Sequence, residues 1–172
     1  AQETAPPPEA PTQRLPKHIT PEAQRGIDRG LAYLARTQDR QGAWSNRGAY
    51  GEYPAAMTAL AGIALLMDGN TTTQGRYAPQ VDRAANFLIR CASQTGLIAR
   101  GDEDSRPMYA HGFSMLFLSH LVGMMEDPIR AGQIQEILAR AVQLTGRAQS
   151  DAGGWIYTPD GNSDEGSVTI TQ

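Results

Sequence analysis

The side chains that could carry chemistry in this 172-residue chain are one thiol, three imidazoles and two acidic clusters, at residues 102–104 and 164–165. His111 and His120 are nine residues apart and so lie on opposite faces of a helix, where they cannot bind one metal ion as a pair. Cys91 is the single cysteine, which excludes an intrachain disulfide and a multi-cysteine zinc site. We interpret Cys91 as a small apolar residue on a helix. We therefore expect no metal and no cofactor.

The composition narrows the class of protein. The chain is long enough for one domain with a core, and its 40% hydrophobic and 19% charged residues are ordinary for a soluble globular protein. A net charge of −3 and a pI near 5.6 leave no basic stripe, so we expect no nucleic-acid partner. No apolar run reaches the roughly 18 residues of a transmembrane helix, so we expect no membrane span.

The first 18 residues are predicted to be a disordered leader. They hold five prolines and almost no large apolar residue, so they cannot bury enough surface to offset the entropy of ordering. The chain begins Ala-Gln-Glu rather than with Met. We interpret this as signal-peptide removal, which predicts an extracytoplasmic (periplasmic or secreted) protein; the alternative is an arbitrarily chosen boundary.

The rest of the chain, 19–172, is predicted to be helical in an alternating pattern. Thr20-Pro21-Glu22 is a strong helix start, followed by an apolar stripe of Ile27, Leu31 and Leu34. Further helices are expected at about 53–67, 79–93, 108–125 and 129–148, and a sixth begins near Ser167. The odd-numbered helices are amphipathic and the even-numbered ones are apolar all round. This alternation predicts two layers, with outer helices covering inner ones.

One motif occurs twice between these helices. Residues 38–44 (Gln-Asp-Arg-Gln-Gly-Ala-Trp) and 149–155 (Gln-Ser-Asp-Ala-Gly-Gly-Trp) share the pattern Gln-x-x-x-Gly-x-Trp. A degenerate copy lies between them, with Ala92 in place of the Gln and Ile98 in place of the Trp; Gln94 fits only a shorter loop. Gly42, Gly96 and Gly153 are 54 and 57 residues apart. The chain is therefore predicted to repeat a two-helix unit, at about 20–70, 77–127 and an incomplete 129–172.

This repeat resembles the QW repeat of squalene–hopene and oxidosqualene cyclases, whose fold protein prenyltransferase β subunits share. Residues 106–113 (Arg-Pro-Met-Tyr-Ala-His-Gly-Phe) also resemble the inner-helix start of bacterial prenyltransferase/squalene oxidase repeat proteins. The resemblance implies an all-α fold, part of an (α/α)6 toroid whose inner helices line an apolar cavity. It implies structural roles for the motif residues, in which the Gln caps a neighbouring helix and the Trp stacks across the repeat boundary (Gln38, Gly42, Trp44, Gly96, Gln149, Gly153 and Trp155). It also suggests four cavity-lining residues (Tyr109, His111, Phe113 and His120).

The catalytic residues that the resemblance would imply are incomplete. Cyclases of this family protonate an alkene with Asp-x-Asp-Asp, whose donor must be held protonated by its partners. Here Gly166 stands where the donor should be, and in 102–105 the last Asp has become Ser105. Asp104 is left as a weak catalytic candidate, in a loop typical of a solvated turn or of a partner for Arg106. The prenyltransferase zinc ligands are absent as well, since no acid lies two residues from Cys91.

Two functions remain open at this point, and whether the chain is an enzyme stays undecided. The first is a non-catalytic repeat domain that offers an apolar inner-helix surface to an isoprenoid-like lipid or a protein partner. The alternative is a terpenoid cyclase or prenyltransferase whose catalytic residues lie outside this chain. A toroid of six hairpins needs on the order of 300 residues, so we expect a fragment of a longer protein, or an open repeat edge that a partner or a second copy covers.

Overall fold

The structure, a computed structural model, describes residues 19–45, 52–101 and 106–172. These residues form six helices, the last a single turn: α1 (Pro21–Thr37), α2 (Pro54–Met67), α3 (Ala78–Cys91), α4 (Pro107–Val122), α5 (Pro128–Arg147) and α6 (Gly166–Thr169). In this part of the chain the one strand-like feature is an isolated bridge between Ala92 and Ile98. The prediction of an all-α fold is confirmed. The predicted leader, 1–18, lies outside the described residues.

Local sequence signals set where the helices begin. The Thr20 hydroxyl caps α1 by accepting a hydrogen bond from the Ala23 N–H at 3.1 Å, and the Asp127 carboxylate caps α5 through the Ile129 N–H at 3.0 Å. Each of the five long helices has a proline in its first two positions, where the missing N–H costs nothing. The predicted ends agree with the observed ones to within three residues.

The helices pack in two layers. The inner helices α2 and α4 pack against each other, α3 packs on α2, and α5 packs on α4. Gly62 on α2 permits close approach, because a Cβ there would lie 2.5 Å from the Phe117 ring of α4. Leu65 of α2, Leu88 of α3 and Phe117 of α4 are fully buried. The two layers confirm the predicted α/α-hairpin architecture.

The inner helices differ from the prediction in one respect, since they are not covered all round. Met57, Leu60 and Met67 of α2 are 40%, 43% and 67% exposed, and Leu116 of α4 is 47% exposed. Ile27, predicted to be inside, is 43% exposed. On α1 and α2 the reason is that α1 packs only lightly on α2, which leaves a groove between the two helices, whereas Leu116 lines a separate cavity with Leu138 of α5. None of the described helices is both long and apolar enough to cross a membrane.

Candidate functional site

The three loops that follow the outer helices have one backbone conformation. Gly42, Gly96 and Gly153 have φ values of 93°, 99° and 90°, in the region that only glycine adopts without strain. In each loop a backbone N–H donates to the carbonyl four residues later, at 3.0, 2.8 and 2.9 Å (Asp39 to Ala43, Ser93 to Leu97, Ser150 to Gly154). The middle loop therefore has the same geometry although it lacks the Gln and the Trp.

The Gln and Trp side chains of the two complete motifs make matching hydrogen bonds. Gln38 Nε2 donates to the Gly42 carbonyl at 3.0 Å, and Gln149 Nε2 donates to the Gly153 carbonyl at 2.8 Å. The indole N–H groups bond back to the preceding outer helix, from Trp44 to the Leu34 carbonyl at 2.9 Å and from Trp155 to the Thr145 carbonyl at 2.8 Å. These bonds fix each loop to its own repeat.

The first loop also contacts the outer helix of the next repeat. Arg83 of α3 donates to Gln38 Oε1 from Nε at 3.1 Å and from Nη2 at 2.7 Å, and Gln38 Nε2 donates to the Gln80 carbonyl at 2.9 Å. Gly42 lies against the α3 backbone, since a Cβ there would be 2.3 Å from the Arg83 carbonyl oxygen. We call this contact, a loop of one repeat against the outer helix of the next, a repeat joint.

A second repeat joint connects the middle loop to α5. A Cβ on Gly96 would be 2.4 Å from the Arg140 carbonyl oxygen. Each joint also has a second arginine seven residues further along its outer helix. Arg90 Nη2 donates to the Gln41 carbonyl at 2.8 Å, and Arg147 Nη2 donates to the Thr95 carbonyl at 3.4 Å. The sequence analysis did not single out these arginines. The arginines of α5 follow those of α3 by 57 residues, the same separation as between Gly96 and Gly153, and this periodicity is the signal that identifies them.

His111 occupies a structural position in the core. The backbone N–H groups of Trp44 and Trp155 donate to the hydroxyl oxygens of Thr58 and Thr169, at 3.0 and 3.1 Å. In the middle repeat the Ile98 N–H donates instead to His111 Nδ1 at 3.2 Å. The imidazole therefore takes the place of a threonine hydroxyl in fixing the loop to the inner helix.

The protonation state of His111 follows from its surroundings. The side chain is fully buried, and this burial lowers the pKa of His111 to about 4, against an opposing contribution from the backbone at Ala141. Since Nδ1 accepts a hydrogen bond, the proton is on Nε2, which lies 3.0 Å from Thr145 Oγ1. The neutral ring thus connects the loop, α4 and α5. The resemblance suggested a cavity wall for His111, but the structure leaves none of its surface exposed.

The other candidates from the sequence lie on α4, and one of them contacts α6. Phe113 and His120 are partly exposed on α4. The Tyr109 hydroxyl contacts Ser167 Oγ, which in turn donates to Glu165 Oε2. The same carboxylate oxygen accepts from the Ser167 N–H at 3.0 Å and the Val168 N–H at 3.1 Å. Glu165 is therefore the N-cap of α6.

This capping role is unsuited to acid catalysis. The Ser167 hydroxyl lowers the pKa of Glu165, the backbone N–H groups lower it further, and desolvation opposes them. An acid that protonates a carbon–carbon double bond must carry its proton beforehand, whereas these hydrogen bonds favour the ionised carboxylate. Asp104 lies outside the described residues. Residues 19–45, 52–101 and 106–172 contain no cluster of three or more metal-ligating side chains.

A further candidate is the groove between α1 and α2. It has a volume of about 630 Å³ and is lined mainly by aliphatic side chains, with two polar ones: Ile19, Gln24, Ile27, Gly30, Leu31, Tyr33, Leu34, Ala64, Met67 and Asp68. A second cavity of about 480 Å³ shares Tyr33 and Leu34 with it and reaches Met57 and Leu60 of α2. The two cavities therefore adjoin, and the second also has the polar side chains of Thr37 and Ser45 in its wall.

The comparisons with known proteins support the fold. A variant of the type II terpene cyclase MstE from Scytonema, solved in complex with the product merosterolic acid A, matches this chain with a TM-score of 0.61 and 21% sequence identity. The match covers 78% of this chain and 35% of the cyclase, so the chain spans about a third of that structure. No known protein-family profile matches the sequence, and no curated protein matches it. The chain thus has an all-helical, α/α-toroid-like fold similar to that of a terpene cyclase, as predicted.

Proposed function

We propose that this chain is a non-catalytic repeat module that binds an apolar, isoprenoid-like lipid on the α2 inner-helix surface, in the groove against α1. The groove itself carries the proposal, because about 630 Å³ lies within the ~300–1,000 Å³ range of small-molecule sites. Contiguous exposed apolar surface of this kind is typical of binding sites. The predicted extracytoplasmic location stays a prediction.

The polar groups of the groove favour an apolar ligand. Gln24 Nε2 donates to Asp28 Oδ1 at 2.8 Å, and the Asp68 carboxylate accepts from Asn70 Nδ2 at 3.1 Å. Both polar side chains therefore already have partners within the protein. The remaining wall, built from Ile27, Leu31 and Met67 among others, offers dispersion contacts and removal of apolar surface from water.

Binding of two isoprenoid alcohols tests this function. Farnesol should bind more tightly than geraniol by on the order of tenfold or more, because each additional buried CH₂ contributes about 0.8 kcal/mol. Ile27→Asp should weaken farnesol binding at least tenfold, since it places a charge in the groove wall. Isothermal titration calorimetry measures both effects.

The matched control is Ile129→Asp, which makes the same change on an outer helix at a side chain 85% exposed. Its farnesol affinity should equal that of the natural protein, and circular dichroism should show that both variants fold. Failure of farnesol to bind, or equal losses in the two variants, would contradict the lipid-binding proposal.

A second function rests on the structural match. Because this chain covers 35% of a terpene cyclase, it also fits a terpenoid cyclase or prenyltransferase whose catalytic residues lie outside the chain. The complete open reading frame distinguishes the two functions. An Asp-x-Asp-Asp in another repeat would support the enzyme, and its absence from every repeat would support the binding module.

A further inference from the structure

Helix α1 carries the arginines that form the helix side of a repeat joint. Shifting by the repeat periods of 54 and 57 residues places Arg29 of α1 at the position of Arg83 and Arg140. The same shift places Arg36 at the position of Arg90, and each stacks on an aromatic ring three residues earlier (Tyr33 at 5.1 Å, Phe87 at 6.0 Å). Arg29 and Arg36 are exposed. Helix α1 thus presents the arginine pair that α3 uses against a loop.

The complementary half is on loop 149–155. A Cβ on Gly153 would meet only Gln149 Nε2, at 4.0 Å, whereas at Gly42 and Gly96 it would lie 2.3 and 2.4 Å from a helix carbonyl. Gln149 is exposed, and its Nε2 bond to the Gly153 carbonyl holds the side chain as the matching bond holds Gln38. The loop is therefore preformed for an outer helix, and no described helix lies against it.

We propose that two copies of this chain associate head to tail, with α1 of one copy docked on loop 149–155 of the other. Arg29 of the first copy donates to Gln149 Oε1 of the second, and Arg36 donates to the Ala152 carbonyl. The Arg83–Gln38 and Arg90–Gln41 bonds, with shortest lengths of 2.7 and 2.8 Å, are the template inside the chain. Hydrogen bonds from a guanidinium are stronger than neutral ones, so the two arginines of α1 are suitable donors for the two acceptors of the loop.

Apolar surface lies beside both halves of this interface. Tyr33 of α1 is 55% exposed, and Val142 of α5 and Ile170, directly after α6, are 62% and 88% exposed. Because the contacting surfaces differ, the interface is heterologous and each copy keeps one free end. The proposal does not rest on lipid binding, since its hydrogen bonds come from Arg29, Arg36 and Gln149, which do not line the groove, although Tyr33 borders both surfaces.

Complementation between two variants tests the head-to-tail geometry. Arg29→Ala/Arg36→Ala removes the α1 half, and Gln149→Lys places a positive charge against Arg29 in the loop half. Each variant alone should associate at least tenfold more weakly than the natural protein. An equimolar mixture should form dimers and nothing larger, because one intact α1 and one intact loop remain. Sedimentation velocity over a range of concentrations measures the association of each variant alone and of their mixture.

The control is Arg40→Glu, an exposed arginine in the first loop, which should associate like the natural protein. Circular dichroism and thermal unfolding show whether each variant is folded. A natural protein that stays monomeric at millimolar concentration would overturn the proposal. Variants that associate like the natural protein would overturn it too. A mixture of the two variants that stays monomeric would also overturn it, because that result indicates a two-fold symmetric contact.

Discussion

Gly96→Ala is expected to reduce the free energy of unfolding by about 2–6 kcal/mol, whereas Gly153→Ala should reduce it by about 1–3 kcal/mol. Both glycines have a positive φ, 99° and 90°, and an L-residue in such a conformation costs on the order of 1–3 kcal/mol. Only Gly96 carries a second cost, because its Cβ would lie 2.4 Å from the Arg140 carbonyl oxygen. Relieving that overlap requires a backbone shift, which costs about 1–3 kcal/mol of free energy.

Urea unfolding of the two variants measures the difference, and Gly153→Ala is the matched control because its nearest contact is at 4.0 Å. The protein concentration should be low enough to keep both variants monomeric, so that association does not contribute. The excess loss in Gly96→Ala is the energetic cost of relieving the overlap between the added Cβ and the α5 backbone. Equal losses in both variants would mean that the joint relaxes freely and that the close approach is not needed for stability.

The sequence predicts the helices well because their signals are local. Proline at the first turn, the Thr20 cap and the glycines after the outer helices each act within a few residues, so helix positions follow without knowledge of the packing. The three-loop repeat follows from the spacing of Gly42, Gly96 and Gly153 for the same reason: each needs a positive φ whatever its neighbours are.

The contacts between repeats are harder to predict. A single arginine such as Arg83 on an amphipathic helix looks like part of a solvated face, and only the repeat period shows that Arg29 and Arg140 are equivalent to it. Periodicity identifies Ile27 as apolar but does not show whether anything covers it. In the middle repeat His111 accepts the loop hydrogen bond that a threonine hydroxyl accepts in the other two repeats. A lone histidine in an apolar segment does not reveal this role.

His111→Asn is expected to lower the free energy of unfolding at pH 7 by about 2–4 kcal/mol. Asparagine can still accept from the Ile98 N–H, but it is too short to reach Thr145, which lies 3.0 Å from Nε2 of the histidine. The loss therefore combines a small cavity with a partly buried hydroxyl that has lost one of its partners. His120→Asn, on the partly exposed side of α4, is the control and should change stability by less than about 1 kcal/mol.

The contribution of His111 to the free energy of unfolding depends on pH. In the folded state the pKa of His111 is about 4, while an unfolded histidine titrates near 6.5. Below pH 6.5 the unfolded state binds a proton that the folded state does not, so His111 makes stability fall as the pH drops from about 6.5 to 4. The slope reaches about 1.4 kcal/mol per pH unit, or roughly 3 kcal/mol in total.

Unfolding experiments at pH 7, 6, 5 and 4 on the natural protein and His111→Asn isolate this contribution. The gap in stability between them should narrow by about 3 kcal/mol as the pH falls, because the variant lacks the titrating group while every other group is shared. A gap that stays constant would show that His111 is protonated in the folded protein near its ordinary pKa. If the variant does not fold, an NMR titration of the His111 ring in the natural protein gives the same answer, since its signals should move near pH 4.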